Sequence, residues 1–195
     1  MVCPICRRDH PETDAKALST LTSTPRRLEK IAASMTPREA AARPVPNKWS
    51  AKEVIAHLAD CEMIYGLRYR KILAEPGAPL AAFDQDVWAK ELQYRKQALK
   101  PTLQSFLALR RQNLAVLKLA PKGAWTQVAP HPEYGTLSLR ELAVHLAYHD
   151  RNHAAQVERI ATAMGKSKRS KKSTKKKHSR KPAPTGRARG KRRQR

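Results

Sequence analysis

"ELAVHLAYHDRNHAAQVERI", residues 141–160, sets three histidines, His145, His149 and His153, at intervals of four in a run that otherwise reads as a buried helix face. It continues an apolar stripe that begins at Leu139 and runs through Leu142 and Leu146, then His149 and His153, then Val157, Ile160 and Met164. The steps of three and four are helical, so His149 and His153 occupy positions on the face that turns toward a helical interior. His145 falls at the edge of that stripe. Imidazole packs less well than leucine in such a place, and its polar atoms need partners.

The same logic extends outward. Ser138 and Glu141 have the spacing of a capping box that starts this helix, and Gly165 is the expected stop. Ser50 and Glu53 form a second box, opening a helix that runs to about Ala74, before "EPGAP", with Trp49 placed to staple its start. In this second helix Val54, His57, Cys61 and Ile64 recur at three, four and three, which puts His57 on an inward face. A first helix is predicted over about 14–34, with Thr24 and Pro25 restarting or kinking it and Leu28 and Ile31 inward. The prolines of "TPREAAARPVPNKWS", 36–50, predict a turn and an extended connector.

A third helix, about 101–119, carries Leu103, Phe106, Leu107, Leu114 and Leu117 on one side. Its start is open, because 87–100 is also helical in pattern. "PHPEYGTLS", 130–138, reads as a loop, and strand signals are nearly missing. Four amphipathic helices over 14–164 predict an all-α four-helix bundle, flanked by a Cys-containing extension, 1–13, and a basic tail, 165–195.

The formal charge is +24, with 16 Lys and Arg and no acid in 165–195, leaving +8 on the rest. The tail has no aromatic and no aliphatic residue larger than alanine, so it is expected to be disordered. Such a segment attracts phosphate backbones by counterion release without reading sequence, or it merely solubilises; anionic lipid is a weaker third option. No run of about 18 apolar residues exists and no hydrophobic signal segment opens the chain, so a cytoplasmic protein without a membrane partner is expected. Three cysteines make no secreted-type disulfide framework. "CPICRRDH", 3–10, looks like half of a structural zinc site, with Cys3, Cys6 and His10 needing a fourth ligand from Glu12, a distant histidine or another chain; the alternative is a frayed terminus with two free thiols.

Residues four apart on a helix have Cβ atoms about 6 Å apart, so His149 and His153 can bite one ion, and His57 from a facing helix completes three ligands. Three neutral imidazoles suit zinc, nickel or ferrous iron and leave a position for water or substrate. Against this stands the reading of all three as core histidines bonded to neighbours. Asp60 and, less well aimed, Asp150 are candidates to orient a ligand ring. Glu62 and Tyr148 are candidate acid–base groups, and Cys61 is a soft ligand or a small core residue.

"NKWSAKEVIAHLADCE", 47–62, together with "HPEYGTLSLRELAVHLAYHDRNHAAQVERI", 131–160, resembles the DinB-like superfamily of four-helix metalloenzymes (DinB/YfiT-like) over about residues 15–164. The resemblance implies an up-down-down-up bundle with metal on one histidine of the second helix and two of the last, matching His57, His149 and His153 and leaving His145 to packing or ligand support. It further implies a small-molecule substrate and either thiol transfer, with bacillithiol, mycothiol or glutathione, or hydrolysis. The competing reading is a non-enzymatic scaffold attached to nucleic acid by its tail; a second copy of the chain is a further expected partner.

Deleting 165–195 should leave the thermal midpoint nearly unchanged and sharply lower any affinity for DNA or RNA. Differential scanning fluorimetry and salt-titrated binding check it; a cooperative loss of folding would show that the tail packs.

Overall fold

The structure is a computed structural model that describes residues 2–10 and 13–178. Four long helices form the body: α1 (Asp14–Ala33), α3 (Ala51–Ala74), α5 (Leu99–Leu119) and α6 (Leu139–His178). Two short ones, α2 (Pro37–Ala41) and α4 (Gln85–Glu91), lie in the connections, and an antiparallel hairpin, β1 (Val128–His131) and β2 (Gly135–Ser138), precedes α6.

Cross-helix pairs fix the directions. Asp14 with Arg140 and Arg27 with Glu158 advance together, so α1 and α6 are parallel. Glu62 with Arg110 and Gly66 with Asn113 also advance together, making α3 and α5 parallel. His57 lies against His149 but Tyr65 against His145, so α3 and α6 run oppositely. The order is therefore up-down-down-up, and the connection carrying α4 is what lets α5 return in the direction of α3.

Both predicted capping boxes form. Ser50 N and Oγ donate to Glu53 Oε2 at 2.9 and 2.6 Å, and Ser138 N and Oγ donate to Glu141 Oε2, both at 2.7 Å. Several elements depart from expectation. The connector after α1 holds the short helix α2, because Thr36 and Glu39 make a third capping box and Pro37 is pre-set for the first helical turn. The helical pattern of 87–100 does not join α5: the backbone turns at Gln93 (φ 52) and buries Tyr94, whose hydroxyl donates to Asp60. The segment read as a loop pairs as a hairpin, its three-residue turn closed by Gly135 at φ 72, a left-handed position suited to glycine. Helix α6 does not stop at Gly165 but continues to His178; lysine and arginine are good helix formers and no proline intervenes before Pro182. The remainder of the expected disordered tail lies outside the described residues.

Pro25 neither restarts nor ends α1. It has no N–H to give to the Leu21 carbonyl one turn back, and that carbonyl instead accepts from Arg110 Nη1 at 3.0 Å. The apolar interior divides into two clusters. One gathers Leu21, Tyr65, Tyr69, Leu142 and Leu146; the other gathers Leu28, Val54, Leu58, Phe106 and Val157. Between them lies a polar layer containing His57, His149, Glu62, Arg110 and Asp150. No helix among the described residues is long and apolar enough to cross a membrane.

Burial pushes the Glu53 carboxyl up, but the Arg43 guanidinium and the Ser50 donors outweigh it and hold the group down at about 2. Because the folded value lies below the unfolded one, this interaction stabilises fully above pH 4.5 and fades as pH falls toward 2. Glu53→Gln should cost about 1 to 3 kcal/mol near neutral pH, and urea titrations should show the deficit shrinking as the solution is acidified through that window. A deficit independent of pH would mean that the charge is not what stabilises the cap.

Candidate metal centre

His57 enters the polar layer from the second turn of α3, and His149 and His153 from adjacent turns of α6. His57 Nε2 lies 2.9 Å from His149 Nε2. Two nitrogens that far apart, each about 2.0 to 2.1 Å from one ion, subtend about 90° at it, the angle of an octahedral site; a tetrahedral zinc needs them about 0.4 Å further apart. The His153 ring lies beside them, its centroid 5.0 Å from that of His57 and 4.3 Å from that of His149, although the ligand atoms that gather within 4.8 Å of one another are those of His57, Cys61 and His149. Its Nδ1 lies 2.9 Å from Gln156 Oε1, which can only accept, so Nδ1 carries the hydrogen and Nε2 keeps a lone pair.

Electrostatics favour the neutral rings that a metal requires. Burial pulls His57 down to about 3 and His149 well below the ordinary value, with the neighbouring rings adding to the effect. Burial also lowers His153. Cys61, one turn beyond His57, has its Sγ 3.5 Å from His57 Nε2. The ligand atoms of His57, Cys61 and His149 all lie within 4.8 Å of one another, so Cys61 belongs to the site's wall as well as to the core. The donor set thus fits a divalent ion of zinc, nickel or iron type.

A cleft of about 360 Å³ opens over His57, Cys61 and His149. Tyr65 and Arg68 of α3 form one side, Asp84 and Gln85 at the start of α4 another, and Glu133 and Tyr134 of the hairpin turn the rim. Arg68 Nη2 donates to the Ala81 carbonyl at 2.6 Å and lies 3.0 Å from His131 Nε2, tying the α3–α4 connection and the hairpin to the cleft. Its guanidinium stands 5.1 Å from the Tyr65 ring centroid. Arg68, His131, Glu133 and Tyr134 escaped sequence reasoning; "HPEYG" before a capping box was the one signal that a turn presents polar groups there.

The other sequence candidates are engaged elsewhere. Asp60 accepts from Tyr94 Oη and does not support a ligand ring. Glu62 and Asp150 both pair with Arg110, at 2.5 and 2.6 Å. Tyr148 Oη accepts from Arg8. His145 stacks on Tyr65 with its Nδ1 3.3 Å from Cys3 Sγ, facing the N-terminal extension.

This is the architecture of a helical protein that gathers imidazoles from its second and last long helices between two apolar cores. The chain belongs to the DinB superfamily, whose pattern it matches over residues 20–157. A protein of Halalkalibacterium halodurans named "Putative metal-dependent hydrolase" is 20% identical over 154 residues, 78% of this chain and 90% of that one. A protein of Oceanobacillus iheyensis with the same designation is 25% identical over 109 residues, 56% and 63% of the two chains. The fold is similar to that of YfiT from Bacillus subtilis, described as "a probable metal-dependent hydrolase with an unusual four-helix bundle topology", with a TM-score of 0.73 and 18% identity, covering 84% of this chain and 97% of that one.

His149 Nδ1 is sealed from solvent with no hydrogen-bond partner among the described residues. Such a nitrogen costs about 1 to 3 kcal/mol, which leucine would not incur. In metal-stripped protein His149→Leu should therefore raise the urea midpoint, by the equivalent of about 1 kcal/mol. A lowered midpoint would show that the imidazole is there for packing.

Proposed function

We propose that this chain is a divalent-metal-dependent enzyme, with the ion held by His57, His149 and His153, acting on a small molecule in the cleft above them. The observation that carries the reading is the 2.9 Å approach of His57 Nε2 to His149 Nε2 at the cleft floor. The two nitrogens are close enough to share one Nε2–H as a hydrogen bond and equally to turn both lone pairs toward one ion, while the buried His149 Nδ1 has no partner among the described residues. A zinc, nickel or ferrous ion there supplies Lewis-acid chemistry that lowers the pKa of water or of a low-molecular-weight thiol.

The names of the relatives support hydrolysis; thiol transfer is the alternative within the same chemistry. The chain's own part is to bind, orient and exclude water. Gln156 fixes the tautomer of His153, and Trp49, its ring centroid 5.1 Å from that of His57, covers the outer side of that ligand. Arg68 borders the cleft as a fixed cation, which suits a substrate carrying a carboxylate or phosphate. Glu62, Asp150 and Asp60 are committed to Arg110 and Tyr94, which leaves Asp84 and Glu133 as the carboxylates lining the cleft for proton transfer.

A role for residues 165–195 in binding nucleic acid is a separable proposal, supported by their 16 Lys and Arg without an acid. It does not compete with the cleft, because the two lie in different parts of the chain.

Elemental analysis of purified protein and of His57→Ala, His149→Ala and His153→Ala tests the ligand set, beside ester or amide hydrolysis and thiol-conjugation screens. Each substitution should remove most of one metal equivalent and lower turnover at least a hundredfold, in line with the loss of a ligand. Undiminished metal in all three variants would overturn the site, and full metal with turnover in neither screen would favour a binding scaffold.

A further inference from the structure

The N-terminal extension makes a second cluster of ligating atoms. The sulfurs of Cys3 and Cys6 and a ring nitrogen each from His10 and His145 all lie within 4.8 Å of one another. Cys3 Sγ is 3.3 Å from His145 Nδ1, and Cys6 Sγ is 3.0 Å from His10 Nε2. A tetrahedral zinc with bonds of about 2.3 Å to sulfur and 2.0 Å to nitrogen separates its ligands by roughly 3.3 to 3.8 Å, so small shifts would seat the ion.

The local backbone is built to present these atoms together. Arg7 N donates to the Cys3 carbonyl at 2.8 Å and Cys3 N to the Arg8 carbonyl at 2.9 Å, closing a tight turn around the two thiols. Arg7 takes a left-handed φ of 54, and Val2 bridges to Asp9 across the turn. Cys3, His10 and His145 are buried, whereas Val2 is exposed and Ile5 only half-buried. Ordering nine residues costs backbone entropy that so little apolar burial does not offset. A metal shared with the bundle would supply the missing stabilisation.

We infer that Cys3, Cys6, His10 and His145 form a closed, structural zinc site that pins the N-terminal extension to α6. Two thiolates and two imidazoles are a donor set that selects zinc, and with four protein ligands no position is left for substrate. The fourth ligand that "CPICRRDH" lacks in sequence is supplied by a helix more than 130 residues away. The site also shapes the cleft, since Ile5, inside the Cys-x2-Cys turn, lines it with His57 and Tyr65. The inference is independent of the ligand set at His57, because it involves different residues.

The test uses the full chain loaded with zinc or with cobalt. Wild-type protein should hold one equivalent more than Cys3→Ser/Cys6→Ser and one more than His145→Ala, while His57→Ala/His149→Ala should keep this equivalent. Cobalt-loaded protein should show thiolate-to-cobalt charge transfer that survives in Cys61→Ser and in His57→Ala/His149→Ala and disappears in Cys3→Ser/Cys6→Ser. Unchanged metal content or unchanged charge transfer in Cys3→Ser/Cys6→Ser overturns the inference. Should that variant not fold, mass-spectrometric mapping of alkylation in wild-type protein decides: Cys3 and Cys6 should be protected until a chelator is added, and equal labelling with and without it overturns the site.

Discussion

One guanidinium ties the bundle together. Arg110, on α5 and 2% exposed, donates to the Leu21 carbonyl of α1, to Glu62 of α3 and to Asp150 of α6, so a single side chain bonds to all three other long helices. The carbonyl is available because Pro25 cannot donate to it. Breaking such a buried pair by removing one partner costs about 3 to 5 kcal/mol, although an apolar replacement of the whole group need not cost anything. Its value is therefore registry: only one sliding position of the helices satisfies all three acceptors.

That registry sets the candidate site. Asp150 follows His149 in sequence and Glu62 follows Cys61, so fixing the two carboxylates around Arg110 also fixes which turns of α3 and α6 face each other. The imidazoles then meet in the same polar layer, between the two apolar clusters. Gly66 belongs to the same constraint. A Cβ there would fall 2.4 Å from Asn113 Oδ1, and Asn113 in turn donates to the Glu62 carbonyl and carboxylate. A layer of this kind weakens the core locally, a cost that proteins commonly carry where function needs it.

Along α6, two clusters of ligating groups adjoin, with His145 and His149 ring centroids 6.2 Å apart. Their chemistry differs in kind. His57 and His149 line a cleft open to a small molecule, with His153 beside them, whereas the two thiols and two imidazoles gathered at the N-terminal turn would close the coordination of an ion held there. The N-terminal extension thereby joins the wall of the cleft through Ile5, and a segment outside the matched superfamily region contributes to the surface a substrate would meet.

The four long helices, two capping boxes and the inward placement of His57, His149 and His153 are legible in the sequence, because helical period and capping are local rules written within a few residues. The hairpin at 128–138 and the turn at Gln93 are not legible in the same way, since they depend on contacts with Leu80 and Asp60, which no local pattern reports. Tertiary structure alone decided that Glu62 and Asp150 serve Arg110, that Asp60 serves Tyr94, and that His145 faces Cys3. Each of those side chains is polar with more than one partner in reach of its type, and burial makes the choice, since each polar group left unpaired in a dry interior, as His149 Nδ1 is, costs about 1 to 3 kcal/mol.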